Sequence, residues 1–149
     1  MSETYTVVSE DSPTSEDINV VRRGLGQFNR DTGGLANDSR NLTLFIRDAT
    51  GQTVGGLLGF TLGTWFHIEF LWLDERIRGK GHGRRLLDRA EKEARARGCH
   101  VVDLRTFDFQ APQFYEKQGY VRFGELSQVG AEHTLHFFRK YFGKPCGEA

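Results

Sequence analysis

Residues 65–73 read Trp-Phe-His-Ile-Glu-Phe-Leu-Trp-Leu, and a second unusual segment follows at once: Arg78-Gly79-Lys80-Gly81-His82-Gly83-Arg84. This pair constrains the fold more than anything else in the chain. The first is the most apolar run present, dense in aromatic side chains, and its length suits a strand. The second is a basic loop with alternating glycines. From 83 onward Leu86, Leu87, Ala90 and Ala94 recur at helical spacing until Gly98 supplies a C-terminal stop. The expected order is therefore strand, glycine-rich loop and helix, then a strand at 99–107 whose Val101-Val102-Asp103-Leu104 centre suits a central position.

The remaining segments fit around this unit. Residues 4–10 alternate like a short strand, and Ser12 before Pro13 reads as an N-cap for a helix running to about residue 29 through Ile18, Val21, Leu25 and Phe28. A loop at 30–40 leads to strands at 41–48 and 53–62 joined by a turn at 49–52. A short helix at 111–118 ends at Gly119. Strands at 120–126 and 134–141 flank a turn at 128–132. With 149 residues and no repeat or linker, the expectation is one domain, residues 1–149. Its fold class is α+β, a mixed and mostly antiparallel central sheet flanked by helices.

Charge narrows the partners. Twenty basic residues balance twenty acidic ones, which gives no general attraction to nucleic acid or to an anionic membrane. No stretch approaches the roughly 18 apolar residues of a membrane span, and the first residues lack the pattern of a secretory signal. Cys99 and Cys146 make neither a disulfide framework nor a metal knuckle. A reducing, cytoplasmic location with no metal follows as the expectation. Locally the balance breaks down: residues 76–97 hold nine basic and three acidic residues. The helical pairs Asp88–Lys92, Glu91–Arg95 and Glu93–Arg97 account for part of this. Arg76, Arg78, Lys80, Arg84 and Arg85 stay unmatched at the start of the helix, where an anion is best received.

Two chemistries are on offer. Glu69 interrupts the apolar strand, with His67 two positions earlier. An unbroken period of two puts His67, Glu69, Leu71 and Leu73 on one face and Ile68, Phe70 and Trp72 on the other. If that strand is covered on both faces, Glu69 is a desolvated general base; if only one face is covered, Glu69 and His67 simply meet water. The loop offers amides unobstructed by side chains, a cradle for phosphate. Its Gly-x-Gly-x-Gly spacing fits neither a Walker loop nor a dinucleotide fingerprint. His133 and His136, three apart on a strand, point to opposite faces and do not chelate. Phe137, Phe138 and Tyr141 read as packing aromatics and as candidates for a homodimer contact.

Taken together, the strand at 65–73, Arg78-x-x-Gly81-x-Gly83, and Phe114-Tyr115-Glu116-Lys117-x-Gly119-Tyr120 resemble the GNAT superfamily of acetyl-CoA-dependent N-acetyltransferases, over roughly residues 41–140. The resemblance implies a sheet splayed between strands 65–73 and 99–107, with acetyl-CoA as co-substrate. Gly79, Lys80, Gly81, His82, Gly83 and Arg84, with Arg78, would hold the coenzyme A pyrophosphate. The backbone of Leu71, Trp72 and Leu73 would pair with the pantetheine arm, the Leu73 amide polarising the thioester carbonyl. Tyr115 would protonate the departing thiolate. Glu69 or, two residues earlier, His67 would take the proton of the amine. Glu69 is preferred on the strength of desolvation by the apolar strand. One departure is Asp108, where many members carry asparagine; a carboxylate there is unsuited to coenzyme A phosphates.

The function expected is transfer of acetyl from acetyl-CoA to a primary amine of a small molecule, by direct attack in a ternary complex, as in small bacterial members of the superfamily. Asn29, Asp31, Asn37 and Asp38 offer groups for a cationic acceptor. The competing reading is a non-catalytic acyl-CoA sensor or partner-binding module on the same scaffold. Retention of Glu69, His67 and Tyr115 weighs against it. A toxin acting on charged transfer RNA is disfavoured by the neutral total charge.

Overall fold

The computed structural model describes residues 2–35 and 38–143; Asn37 and Cys146 lie outside them. The chain divides into two compact units, Met1–Asn37 and Asp38–Ala149. The first holds helix α1 (Ser15–Gly33). Thr14, and not Ser12, is its N-cap: the Thr14 hydroxyl accepts the Asp17 N–H at 3.1 Å and donates to the Asp17 carboxylate at 2.8 Å. A Thr-x-x-Asp pair that satisfies itself in both directions outcompetes Ser12-Pro13 for the helix start. The helix also outruns residue 29, ending where Gly34 adopts φ +64° and donates to the Arg30 carbonyl. The strand expected at 4–10 does not form. Alternation decides which face a strand would bury but supplies no ladder partner, and the rungs of the sheet run from Arg40 to Tyr141.

The second unit is a six-stranded sheet in the order β1-β2-β3-β4-β6-β5. Its strands are β1 (Arg40–Arg47), β2 (Thr53–Leu62), β3 (Trp65–Leu73), β4 (Val101–Phe107), β5 (Val121–Val129) and β6 (His133–Tyr141). Neighbours pair antiparallel except β3 and β4, which helix α2 (His82–Ala96) joins as a parallel crossover. The expected α+β class with a mixed, mostly antiparallel sheet therefore holds. In the β1–β2 turn Asp48 accepts the N–H groups of Thr50 and Gln52 at 2.9 and 3.0 Å. Leu86, Leu87, Ala90 and Ala94 of α2 pack on one sheet face, against Leu42, Leu57, Phe66, Ile68, Val102 and Leu104. Each of the larger side chains among them contributes about 1.5–3 kcal/mol when fully buried, and the alanines less. The short helix α3 (Pro112–Lys117) lies on the same face, its Phe114 ring so close to Gly83 that a Cβ there would sit 3.1 Å from it.

Charges on α2 sort differently from the helical pairing expected. Glu91–Arg95 forms at 3.6 Å, but Asp88 takes Arg84 at 3.7 Å and Glu93 takes Arg89 at 3.1 Å. Arg97 instead reaches across to the Thr61 hydroxyl. Glu91 is itself buried, where it accepts from Lys140 Nζ at 2.8 Å and the Tyr120 hydroxyl at 3.1 Å. A buried carboxylate needs such partners, and the nearer base four residues along does not suffice.

Two irregularities in β3 matter most. Its rungs to β4 run from Trp65↔Val101 to Ile68↔Leu104 and stop, so the sheet splays open beyond Ile68. On the β2 side the register jumps from Leu58↔Phe70 to Gly59↔Ile68, which leaves Glu69 as an extra residue in a bulge. Phe66 and Ile68 face α2 before the bulge, and Leu71 and Leu73 face it after. Phe70 and Trp72 are exposed. The bulge thus breaks the expected sharing of a face by His67, Glu69, Leu71 and Leu73, because one extra residue inverts the alternation.

Candidate active site

The free edge of β3 is the first element of the site. Asp74 N–H bonds to the Val54 carbonyl at 2.8 Å, so alternation turns Phe70 and Trp72 toward β2 and turns the N–H groups of Leu71 and Leu73 outward. Among the described residues no strand meets them there, because β4 has already diverged. An extended ligand can add to this edge as a strand would.

After β3, Asp74 closes a 3-10 turn (Glu75–Ile77) by accepting the Arg76 N–H and Nε at 2.9 Å each. The Arg76 guanidinium holds the Asp74 carboxyl below the usual carboxylate range. Gly79 and Gly81 then take φ values of +72° and +85°, conformations that disfavour a side chain. Gly81 is the N-cap of α2 and has no side chain to cap with, and a first-turn bond runs from Arg85 N–H to the Gly81 carbonyl. The amides of His82, Gly83 and Arg84 precede that bond and point out of the helix, where its dipole favours an anion. The first turn carries no acidic residue.

Around these amides the basic side chains are partly engaged. Arg78 turns back, its Nε donating to the Leu73 carbonyl at 2.9 Å, which ties the loop to the end of β3. Arg84 is paired with Asp88, and Arg85 contacts His82 Nδ1 at 3.1 Å. Lys80 is exposed at the loop tip. Gly83 is buried against Phe114 and Leu73, so its role is close packing as much as an amide.

Tyr115 stands on the α2 face, buried among the rings of Phe114, Tyr120 and Phe138. Burial pushes its hydroxyl up to about 12, so it holds its proton at neutral pH. On the opposite face a cleft of about 520 Å³ borders the splay. Phe60, Trp65 and Phe137 wall it, and His67, Glu69, Asp103 and Arg105 supply its polar lining. Glu69 is exposed, turned to solvent by the bulge, so the desolvation expected of it is missing. His67 is better held: its Nδ1 lies 2.8 Å from Asp103 Oδ1, and Trp65 Nε1–H donates to the same oxygen at 2.6 Å. Asp103 and Trp65 carried no functional reading in the sequence. A signal was present, since a carboxylate at the centre of a middle strand requires a partner.

Asp108 is occupied elsewhere: its carboxylate accepts from Thr134 N–H at 3.3 Å and lies 3.0 Å from His133 Nδ1. Asp38, from the expected acceptor region, accepts the Gly63 N–H at 3.1 Å. Among the described residues no three His, Cys, Asp or Glu side chains gather as a metal group, and no helix is long and apolar enough to cross a membrane.

Comparison with known proteins places the chain in a family. The family model of the acetyltransferase (GNAT) family covers residues 5–120. The chain belongs to the GNAT family. It is therefore an acyltransferase by family. Acetyltransferase Atu2258 of Agrobacterium fabrum is 31% identical over 135 residues, spanning 91% of this chain and 98% of that protein. Blasticidin-S acetyltransferase of Streptomyces morookaense is 46% identical over 91 residues, 60% of this chain and 67% of that one. The crystal structure of an acetyltransferase from Bacillus cereus superposes with a TM-score of 0.80 at 31% identity, covering 91% of this chain and 98% of that chain.

Proposed function

We propose that this GNAT protein transfers the acetyl group of acetyl-CoA to a primary amine of a small molecule, by direct attack with both substrates bound. The observation that carries the reading is the splay: an unpaired strand edge at Leu71 and Leu73 runs into the bare amides at the start of α2. A thioester ligand with an amide-bearing arm and a pyrophosphate fits those two features in that order. When bound, acetyl-CoA supplies the thioester carbon that an unprotonated amine attacks, with release of the thiolate.

The chain's own residues supply the rest. Leu71 and Leu73 offer backbone groups to the arm, and the Leu73 N–H polarises the thioester carbonyl. Gly79 to Arg84 receive the diphosphate, with Arg78 and Lys80 adding positive potential. Tyr115, protonated at neutral pH, gives its proton to the departing sulfur. His67 or Glu69 takes a proton from the substrate ammonium, since both line the cleft. The aromatic walls with two carboxylates among the polar groups suit a small cationic acceptor. The relative named for blasticidin S supports a small-molecule acceptor.

Thermal melting with and without acetyl-CoA, followed by thiol release against a panel of amines, tests the proposal. Acetyl-CoA at 100 times its Kd stabilises by about 2.7 kcal/mol, which raises the Tm by several degrees. No shift with acetyl-CoA or longer acyl-CoAs refutes the binding site. A shift without thiol release from any amine would instead favour an acyl-CoA sensor.

A further inference from the structure

His67 and Asp103 occupy directly paired rungs of the parallel β3–β4 ladder, one rung before it opens. Both project to the face away from α2, because Phe66, Ile68, Val102 and Leu104 take the core face. Asp103 Oδ1 is shared by Trp65 Nε1–H at 2.6 Å and His67 Nδ1 at 2.8 Å. An ionised carboxylate only accepts hydrogen bonds, so the His67 hydrogen must sit on Nδ1. In the neutral ring the lone pair is then on Nε2. Phe60 and Trp65 hold the ring in place, each 5.5 Å from it between centroids. The His67 side chain is 14% exposed and the Asp103 side chain 23%, enough for the cleft to reach them and little enough for the contact to hold. Glu69 makes no side-chain hydrogen bond among the described residues and has nothing to orient it.

We propose that Asp103 is a positioning residue that holds His67 as the Nδ1–H tautomer, making His67 Nε2 the proton acceptor for the incoming amine, with Trp65 anchoring the carboxylate. The proposal rests on the acetyltransferase reading above. In the step it describes, an N–H bond of the substrate ammonium breaks, an N–H bond forms at His67 Nε2, and the amine keeps the electron pair for attack. The ring becomes an imidazolium whose charge the Asp103 carboxylate balances. The proton leaves to solvent after transfer. This assigns His67 a partner in the manner by which carboxylates orient catalytic histidines generally.

The test combines a spectroscopic signature with kinetics. Nitrogen-15 NMR of the histidine rings in the wild-type protein, without any ligand and followed up in pH until the ring is neutral, should report His67 with its hydrogen on Nδ1 and a bare Nε2. In Asp103→Asn that signature should be lost or mixed. At saturating acetyl-CoA, kcat of Asp103→Asn should fall about tenfold to a hundredfold, less than the roughly 10²–10⁴-fold that a proton-transferring group itself contributes, while KM for acetyl-CoA stays unchanged. Adding Asp103→Asn to His67→Gln should cost little more than His67→Gln alone, because the two act as one unit. A wild-type ring carrying its hydrogen on Nε2, or an Asp103→Asn enzyme with wild-type kcat, overturns the proposal. The wild-type tautomer decides the matter even if Asp103→Asn fails to fold. The expected tautomer in a protein that melts unchanged with acetyl-CoA and releases no thiol refutes the transferase reading, and the proton-acceptor role with it.

Discussion

The bulge in β3 rests on one small residue of β2, and enlarging that residue gives a quantitative test of the packing. A Cβ built on Gly59 would lie 2.4 Å from the His67 carbonyl oxygen, 3.0 Å from a Phe66 ring carbon and 3.3 Å from the His67 carbonyl carbon. A carbon and an oxygen in contact sit about 3.3 Å apart, so Gly59→Ala must move β3 by roughly 0.9 Å against a rigid carbonyl. A shift of that size stretches the neighbouring rungs beyond hydrogen-bonding distance, at about 1 kcal/mol for each bond lost. Overpacking elsewhere costs about 1–3 kcal/mol. Working against this, alanine gains about 0.5–1 kcal/mol over glycine in a strand. The clash wins, and the net loss is about 1–2 kcal/mol, a fall in Tm of about 3–8 °C. Gly124 in β5 is the control, since a Cβ there meets only Phe137, at 3.7 and 3.9 Å. Gly124→Ala should therefore hold stability or raise it. Urea denaturation with an unchanged m-value measures both. A Gly59→Ala protein as stable as wild type, or a Gly124→Ala protein damaged equally, refutes the close approach at the bulge.

Three further outcomes follow from named contacts. Tyr115 is pushed up to about 12 by burial, so the unfolded chain ionises first and stability is lost as pH rises from about 10 through about 12, by about 2–3 kcal/mol. Urea midpoints compared at pH 8 and pH 11.5 should show Tyr115→Phe losing less than wild type over that interval, and a parallel loss would refute the assignment. Gly81 holds φ +85° at the N-cap of α2, so Gly81→Ala strains the turn by about 1 kcal/mol or more and turns its amides aside. Calorimetric titration should find acetyl-CoA affinity reduced about tenfold. Glu91→Ala strips the Tyr120 hydroxyl of its acceptor and leaves the Lys140 ammonium with only the Gln118 carbonyl, at 3.0 Å, in place of its carboxylate. Breaking a buried pair costs about 3–5 kcal/mol, and because Lys140 keeps 25% exposure, urea denaturation should register the low end of that range.

Segments whose signals are local were readable in the chain. β2 and β3 have the expected bounds, and α2 buries the expected Leu86, Leu87, Ala90 and Ala94. The glycine loop stands at the helix start as its spacing implied. What was missed depends on partners distant in sequence. Periodicity assumes an unbroken strand, so it cannot foresee that Glu69 is extruded where β2 brings Gly59 close. The contact between His67 and Asp103 joins residues 36 apart that meet only once β3 and β4 lie parallel. Glu91 had a base four residues on, yet its nearest partner is Lys140 from the last strand. The alternation at 4–10 and the Ser12-Pro13 start were both plausible locally and lost to stronger competitors.

Glu91 has a mechanical consequence. The sheet is two three-stranded rafts, β1-β2-β3 and β4-β6-β5, touching along the four rungs from Trp65↔Val101 to Ile68↔Leu104. So short a seam is a poor brace against hinging. Helix α2 rides on the first raft, and Glu91 reaches from it to Lys140 on the second and to Tyr120 at the foot of β5. The carboxylate works as a tie-rod behind the seam, setting how wide the rafts gape in front. On the proposed binding mode, a ligand entering between them would find the gap already propped, with no strand pairing to break and no binding free energy spent on opening the jaw.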